Sequence, residues 1–380
     1  MPAEHLAPAG APRSVAPELF YATLVSESEA AGVTRLADIT GLDRIGFPVW
    51  QAVRPSGRCQ SVHQGKGKCE LSAKIGALSE ALESHWAESA EPDGPRARWE
   101  ELPPASRCPR PSDCYMDRAG AVDPGSIDWC TAADLVTGRP FYLPHLCVSL
   151  DFSLPTRTAF ERSSAGLAVG SSMEEAVETA LLEVIERDAI GEWRRMSALA
   201  KAGHRLSMRS IPFPWFEAWA TRIRAGGANI RVFAMQAIEG IPVCIVYLSG
   251  IEAFGDSQRL FMGSAAHGSP ETALFKALAE AVQSRLTFIA GARDDMLPSL
   301  YRRMPPGSLL GPAAVWTPRR DFAELRPACS APLEVAGRLA VLGYGIVAVK
   351  RLSPETSEVP VVKAFVPGLG SLHRARRRAG

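Results

Sequence analysis

Apolar residues recur every three to four positions in three long segments of the chain, which is the spacing of a buried helix face. These segments are Leu71–Glu88, Met173–Met196 and Pro270–Ile289, and a loop containing Gly or Ser precedes each of them. Such loops are typical of helix starts, because small polar residues satisfy the free N–H groups of the first turn. The pattern therefore predicts three long helices.

Shorter apolar runs lie between these segments and predict strands. They cover residues 48–53, 146–152, 230–236, 242–248, 260–264, 345–349 and 361–366. A turn near Glu239-Gly240 separates two of the runs, so Ile230–Leu248 is predicted to form an antiparallel hairpin. The predicted fold class is α+β, with mixed sheets packed against helices and no purely parallel sheet.

The three predicted helices share one signature, A-L-x-E-x-x-[E/Q]. Its copies are Ala77–Glu83, Ala180–Glu186 and Ala277–Gln283, which lie 103 and 97 residues apart. The upstream spacing also agrees, since a glycine stands 13 residues before both Glu80 and Glu183. The chain is therefore predicted to contain internally similar strand-loop-helix units.

The signature also predicts a chemical role, because it contains acidic side chains. Residues three apart share a helix face, so each copy projects two carboxylates, or a carboxylate and an amide, in one direction. Apolar neighbours surround Glu183 on nearly every side, and a buried carboxylate must be paired or bind a metal. One interpretation is a structural ion pair with Arg187 or Arg285. Three equivalent copies favour the other interpretation, a set of acids that binds Mg²⁺ and phosphates.

Donors of the kind that phosphates need stand close to these acids. Gly65-Lys66-Gly67 precedes the first helix and a second glycine-containing loop, 166–172, precedes the next helix. The chain has no P-loop pattern and no dinucleotide fingerprint after a strand, which excludes those two nucleotide folds. His63 and His267 flank the loops, where they either carry protons or bond to loop backbone.

Composition excludes several other classes of protein. Lys plus Arg (42) nearly balance Asp plus Glu (41), so no strong field draws the chain to nucleic acid or to a membrane surface. No apolar window is long enough to span a membrane and no signal segment opens the chain, which predicts a cytoplasmic protein. The eight cysteines contain no CxxC pair and are predicted to be reduced thiols without zinc.

The distribution of Pro, Ala and charge predicts the domain organisation. Residues 1–20 are expected to form a flexible leader, residues 21–372 one catalytic domain, and residues 373–380 a solvated basic tail. Within the domain, residues 91–124 are dense in Pro, Asp, Arg and Ser, so they are expected to make a long surface excursion with little regular structure.

Several motifs, in this order and spacing, resemble the YcaO family. The matching segments are Ser61–Gly67 with Glu80 and Glu83, Ser164–Gly170 with Ala180–Ala189, His267 with Glu280–Arg285 and Gly291–Asp295, and finally Pro360–Lys363 and Val366–Leu369. The resemblance covers residues 40–370 and implies a YcaO-type fold of mixed sheets and helices. It also implies an enzyme that uses ATP and Mg²⁺ to phosphorylate a backbone amide oxygen, so that a nucleophile can attack the amide carbon.

The resemblance assigns roles by position. It implies that Mg²⁺ is held by Glu80, Glu83, Glu183 and Glu186. It implies that the nucleotide is held by Lys66, Ser164, Arg187, Glu280, Gln283 and Arg285. The catalytic side chains it implies are Arg187, Arg285 and His267.

Two further features of the sequence indicate which product the reaction would give. Azoline-forming YcaO proteins commonly end in a Pro-rich PxPxP tail, whereas the last residues here read SLHRARRRAG. The segment Leu42–Pro55 looks like YcaO proteins encoded beside TfuA-type partners, a group associated with thioamide formation. Thioamide formation is therefore favoured, and an azoline-forming cyclodehydratase or a non-catalytic nucleotide-binding accessory protein remain alternatives. The expected partners are a precursor peptide or protein, a TfuA-like protein and a second copy of the chain in a homodimer.

Overall fold

The computed structural model describes residue 8 and residues 15–110, 125–153, 160–250, 259–301 and 319–370. The helices of this part are α1 Pro17–Ala30, α2 Glu70–Glu88, α3 His145–Val148, α4 Met173–Arg195, α5 Ala198–Ala202, α6 Pro214–Ala225, α7 Pro270–Ala290 and α8 Pro332–Val341. The strands are β1 Arg35–Asp38, β2 Val49–Val53, β3 Val62–Lys66, β4 Arg96–Ala97, β5 Ile127–Asp134, β6 Pro140–Pro144, β7 Leu167–Val169, β8 Asn229–Ala237, β9 Ile241–Ser249, β10 Leu260–Ala266, β11 Ala348–Arg351 and β12 Val361–Phe365. No helix in these ranges is long and apolar enough to cross a bilayer.

The three long helices α2, α4 and α7 confirm the prediction from apolar spacing. Two of them start at a serine whose side chain accepts a backbone N–H of the first turn, Ser172 from Glu175 and Ser269 from Thr272. Helix α7 ends at Gly291, whose φ of 58° is a left-handed conformation that glycine adopts without strain. Local capping chemistry therefore sets where these helices begin and end.

Antiparallel strand pairs make up all three sheets of the described chain. One sheet has the order β1-β2-β3, a second β10-β9-β8, and a third β4-β5-β11-β12-β7 with β6 added beside β5. The predicted hairpin is confirmed, with Ile230 opposite Leu248 and its turn at Ile238–Gly240. The α+β class is likewise confirmed.

Some strand predictions were wrong. Residues 146–152 do not form a strand, because the run begins in helix α3 and then turns where Asp151 accepts hydrogen bonds from Ser153. The predicted strand 345–349 is shifted, since β11 starts only at Ala348. Helix α1 begins at Pro17, inside the segment expected to be a flexible leader, and buries Phe20. The predicted basic tail lies outside the described residues.

Three strand-loop-helix units repeat in the fold, as the internal similarity predicts: β3 with α2, β7 with α4, and β10 with α7. Each helix begins four residues after its strand ends. Close approach of strand and helix needs glycine at two points, since a Cβ on Gly65 would lie 2.0 Å from the Ala73 oxygen and one on Gly263 2.2 Å from the Ala277 oxygen. Each helix therefore lies tightly on the strand before it.

Candidate active site

In two of the three signatures, the first glutamate accepts a hydrogen bond from the backbone at the strand of its own strand-loop-helix unit. The Glu80 carboxylate accepts the backbone N–H of Gln64 on β3 at 2.7 Å. The Glu183 carboxylate accepts the backbone N–H of Gly166, just before β7, at 3.2 Å. Because each helix packs on the strand before it, its first glutamate turns toward that strand and not toward bulk solvent.

The second position of every signature contacts the next unit. Glu83 accepts the N–H of Val169 on β7 at 2.9 Å, and Glu186 accepts the hydroxyl of Ser264 on β10 at 2.7 Å. The Gln283 amide donates to the carbonyl of Gln64 on β3 at 3.4 Å. The three units thus contact one another in a closed order, and all three signatures face the same centre.

Two carboxylate pairs result from this order, Glu83 with Glu183 and Glu186 with Glu280. Burial raises the pKa of Glu83 well above its ordinary value, and the charge of Glu183 raises it further. Burial raises the pKa of Glu186 to about 8, and Glu280 contributes next. Like charges that repel one another in this way are ready to share a cation.

The third pair differs, because Gln283 replaces the second acid. Gln283 and Glu80 both bind Gln64, through its carbonyl and its backbone N–H respectively. Burial raises the pKa of Glu80, and the backbone N–H of Gln64 and then the guanidinium of Arg293 oppose that shift. Arg293 therefore offsets part of the negative charge of Glu80. The group formed by Glu80, Gln283 and Gln64 is called the third corner of the site.

Cations also line the two acid pairs. Arg187 donates to Glu183 at 3.1 Å, and the side chains of both remain about a quarter exposed, at 32% and 22%. Burial lowers the pKa of Arg187, but Glu183, Glu186 and Glu280 outweigh that effect and raise it. Burial raises the pKa of both Glu80 and Glu83, and the charge of Lys66 opposes each shift, so its ammonium lies near them.

The donor set fits Mg²⁺ bound together with a phosphate-bearing ligand. Mg²⁺ prefers oxygen ligands, usually one or two carboxylates completed by phosphates and water. No three His, Cys, Asp or Glu side chains converge as a ligand group in the described ranges, so each acid pair would supply only part of a coordination shell. Two buried amide atoms next to the third pair, Gln283 Oε1 and Gln64 Nε2, have no partner among the described residues.

Three of the sequence-predicted residues are held elsewhere. Arg285 donates to Asp43 at 2.8 Å in an ion pair whose side chains are only 5% and 2% exposed. His267 Nδ1 accepts the N–H of Ser269 at 2.9 Å beside the start of α7, and burial lowers its pKa to about 4. Ser164 accepts the N–H of Leu167 with its carbonyl. No hydrogen bond among the described residues joins these three side chains to the paired carboxylates.

Sequence reasoning missed several contributors to this centre. Gln64 and Ser264 stand at equivalent places in two units, so aligning the strands as well as the helices would have found them. Lys363 lies on β12, is 1% exposed, and donates to the Ser163 carbonyl at 2.5 Å. Burial lowers the pKa of Lys363 to about 8, while Glu183 opposes that shift. A lysine within an apolar strand segment is the signal that could have drawn attention to it.

Comparison with known proteins gives consistent matches over nearly the whole chain. A family model described as a YcaO cyclodehydratase that binds ATP and Mg²⁺ matches residues 64–370. A Rhizobium leguminosarum bv. trifolii protein, named only as an uncharacterized protein in the tfuA 3′ region, is 29% identical over 377 residues, covering 94% of this chain and 88% of its own. An uncharacterized Mycobacterium tuberculosis protein is 30% identical over 388 residues, covering 95% and 83%.

Solved structures agree on the fold. The structure of YcaO from Methanopyrus kandleri bound with AMPPCP and Mg²⁺ matches with a TM-score of 0.67 and 22% identity, covering 97% of each chain. A heterocyclase in complex with substrate and cofactor matches with a TM-score of 0.72 and 20% identity, covering 96% of this chain and 53% of that one.

Proposed function

Because this chain belongs to the YcaO family, we propose that it uses ATP and Mg²⁺ to activate a backbone amide in a ribosomally made peptide or protein. The observation that carries the proposal is the arrangement of two carboxylate pairs, Glu83 with Glu183 and Glu186 with Glu280, in which the Arg187 guanidinium bonds to Glu183 and lies near Glu186 and Glu280. Such a set suits phosphoryl transfer, in which catalysis is mostly positioning and neutralisation of charge.

Each residue has a proposed role in this reaction. Glu80, Glu83, Glu183 and Glu186 would hold Mg²⁺, which would neutralise the phosphate oxygens. Lys66, Ser164, Arg187, Glu280 and Gln283 would hold the nucleotide. Arg187 would neutralise charge on the phosphoryl group that is transferred. The ion pair of Arg285 with Asp43 favours a supporting role for Arg285 in fixing α7, and the His267 contact with Ser269 favours the same for His267.

The proposed product is a thioamide. The amide oxygen attacks the γ-phosphorus, the bond from that phosphorus to ADP breaks, and the amide N–H proton is lost, to be taken up in the end by the phosphate released. Hydrosulfide then adds to the amide carbon, the carbon–oxygen bond breaks to release phosphate, and the hydrosulfide proton moves to the nitrogen, which leaves a thioamide with sulfur in place of oxygen. The tfuA-region relative supports this product, as does the likeness of Leu42–Pro55 to TfuA-associated proteins.

Reconstitution with mass spectrometry tests the proposal. The chain is incubated with Mg-ATP, sulfide, a TfuA-like partner and the short peptides encoded beside its gene. We expect a mass gain equal to the difference between sulfur and oxygen, with ADP and phosphate released only when a peptide is present. Glu186→Gln should abolish the product, whereas Glu174→Gln, an exposed acid on the same helix, should retain it. An unchanged peptide under all these conditions contradicts the proposal.

An azoline-forming cyclodehydratase is the second candidate, and the match to a heterocyclase structure favours it. In that reaction a Cys, Ser or Thr side chain of the peptide is the nucleophile, and one water is lost. The same mass spectra separate the two products. A third candidate, a nucleotide-binding accessory protein, predicts tight Mg-ATP binding with no modified peptide, and Glu183→Gln would then impair assembly with a partner enzyme instead of chemistry.

We also propose that the chain works as a cytoplasmic homodimer with a separate TfuA-like partner. The support is the YcaO resemblance together with the tfuA-region relative. Light scattering of the purified chain, with and without that partner, tests both assemblies. A monomer that stays monomeric at every concentration contradicts the dimer.

A further inference from the structure

A small cavity lies between α4, β12 and the loop that precedes β7. Its volume is about 60 Å³, and it is lined among others by Glu161, Ser163, Val184 and Lys363. A cavity of this size holds a few water molecules or one small planar group, and it is too small for a nucleotide. Its occupant must therefore be small.

Shared residues fix the position of the cavity relative to the acid pairs. Val184, which lines the cavity, follows Glu183 directly in helix α4. Gly166, whose N–H binds Glu183, packs so closely on β12 that an added Cβ would lie 2.5 Å from the Ala364 oxygen. The cavity therefore borders the part of α4 and the loop that hold Glu183, and the charge of Glu183 acts on Lys363, so a ligand in the cavity lies near one carboxylate of the acid pairs.

The Lys363 ammonium has unused hydrogen-bonding capacity in this cavity. An ammonium has three N–H donors, and Lys363 uses one on the Ser163 carbonyl. The ammonium also lies over the Phe365 ring, 5.4 Å from its centroid, but it makes no second hydrogen bond within the described residues. Its side chain is almost completely buried, and a buried cation without full hydrogen bonding is costly. This arrangement is expected where a ligand supplies the missing acceptor.

Glu161 lines the same cavity and supplies a hydrogen-bond acceptor, where Lys363 supplies a donor. A carboxylate accepts about four hydrogen bonds, so Glu161 can accept another N–H in addition to its contacts within the protein. One donor and one acceptor facing a small, half-open space match the carbonyl and the N–H of a single amide. A lone anion would be attracted by Lys363 and repelled by Glu161, which makes it a poorer fit.

We propose that this cavity is the subsite for the reacting amide, with Lys363 donating to the amide oxygen and Glu161 accepting from the amide N–H. The inference rests on the proposed function, because it names where that function's acceptor group binds. In this position the Lys363 ammonium also faces the oxygen onto which the phosphoryl group moves, and neutralises charge there.

A bare amide probes the subsite without requiring turnover. The full chain, with Mg²⁺ and a non-hydrolysable ATP analogue, is titrated with N-methylacetamide and, in parallel, with N,N-dimethylacetamide, which lacks the N–H. We expect saturable binding of the first in solution and its density beside Lys363 Nζ in soaked crystals. The second should bind at least about tenfold more weakly, because a hydrogen bond to a charged group contributes on this order.

Lys363→Met tests the lysine with a matched control. Methionine fills the space without a charge that needs solvation, so the variant is expected to fold. It should weaken the binding of N-methylacetamide at least about tenfold and raise the KM for a peptide substrate, with ATP affinity unchanged. Lys350→Met is the control, because Lys350 is opposite Lys363 in the strand pair yet bonds to Asp93. It should bind the probe like the unmodified chain.

Several results overturn the subsite. These are equal binding of the two amides, binding that Lys363→Met does not change, and density at crystal concentration only, without saturable binding in solution. The test is separate from that of the proposed function. Probe binding at Lys363 without any modified peptide would contradict the proposed function and leave an amide-binding site without a reaction, whereas a modified peptide without probe binding would support the function and contradict the subsite.

Discussion

The ionisation of a glutamate in the candidate active site depends on the side chains around it, and two glutamates of one helix show the difference. Glu186 and Glu178 are glutamates of the same helix, yet Glu186 lies beside Glu280 while Glu178 accepts from Ser330 near the surface. Burial and the nearby carboxylate raise the pKa of Glu186 to about 8. Burial and a neighbouring carboxylate therefore distinguish Glu186, a proposed cation ligand, from the half-buried Glu178.

Replacing Glu186 tests this assignment. Glu186→Gln removes one charge of a pair without changing its shape, so Mg-ATP affinity should fall more than about tenfold, since even second-shell changes have effects of that size. Calorimetric titration of Mg-ATP measures it. Glu174→Gln, at an exposed position of the same helix, should bind like the unmodified chain. Equal affinities for all three proteins would rule out a role for Glu186 as a ligand.

The two arginines predicted to be catalytic should behave differently. Arg285 is half of a buried ion pair with Asp43, so Arg285→Met leaves an uncompensated carboxylate and should lower the free energy of unfolding by about 3–5 kcal/mol. Arg187 is partly exposed, so Arg187→Met should change stability much less while reducing ATP affinity. Urea unfolding and ATP titration of both variants separate the two roles. A stable Arg285→Met chain that has lost ATP binding would restore Arg285 to the nucleotide site.

His63 should affect the stability of the protein in acid. It is fully buried, and burial lowers its pKa to about 3, so it stays neutral while the unfolded chain takes up a proton near pH 6.5. Protonation of the unfolded state alone lowers stability as pH falls from 6.5 toward 3, by about 2 kcal/mol at pH 5.

The measurement compares the unmodified chain with His63→Gln, which cannot titrate at this position. The difference in unfolding free energy between the two, measured in urea at pH 7.5 and at pH 5, should shift by that amount in disfavour of histidine. A difference that does not depend on pH would mean that His63 is protonated in the folded protein. Its low pKa also makes His63 a poor proton carrier near neutral pH.

At the scale of elements, sequence reasoning succeeded where local pattern and tertiary structure agree. Helices α2, α4 and α7 could be predicted from the spacing of their apolar residues, because each helix buries a long apolar face next to capping residues. Strand β7 was missed, since three residues carry no period, and it exists because β12 lies alongside it. The pairing of each acid with the next unit also depends on tertiary packing, which no single helix signature encodes.

The contact between Gln283 on α7 and Gln64 on β3 can be used to test how these two units are held together. Gln283→Glu would replace the amide that donates to Gln64 with a second carboxylate near Glu80. The melting temperature should then fall without Mg²⁺ and recover as Mg²⁺ is added, because the new pair needs a cation. Gln283→Met, which loses the hydrogen bond without adding charge, should show no such recovery. Identical Mg²⁺ dependence in the two variants would exclude a cation site at this corner.

At the scale of the whole molecule, three similar units contact one another in a closed order and form one centre. The family and the class of fold could be inferred from the sequence, because motif order and spacing extend through most of the chain. Lys363 could not be given a role in that way, since its position opposite Ser163 and Glu161 depends on how β12 and the loop before β7 pack together.

The measurement that tests the central claim most directly follows the amide oxygen itself. A peptide substrate is labelled with ¹⁸O in its backbone carbonyls and incubated with the chain, Mg-ATP, sulfide and the TfuA-like partner. If this centre phosphorylates the amide oxygen, the label leaves the modified amide and is recovered in inorganic phosphate, one labelled oxygen for each amide converted. Phosphate that carries no label while the peptide is modified would contradict the account.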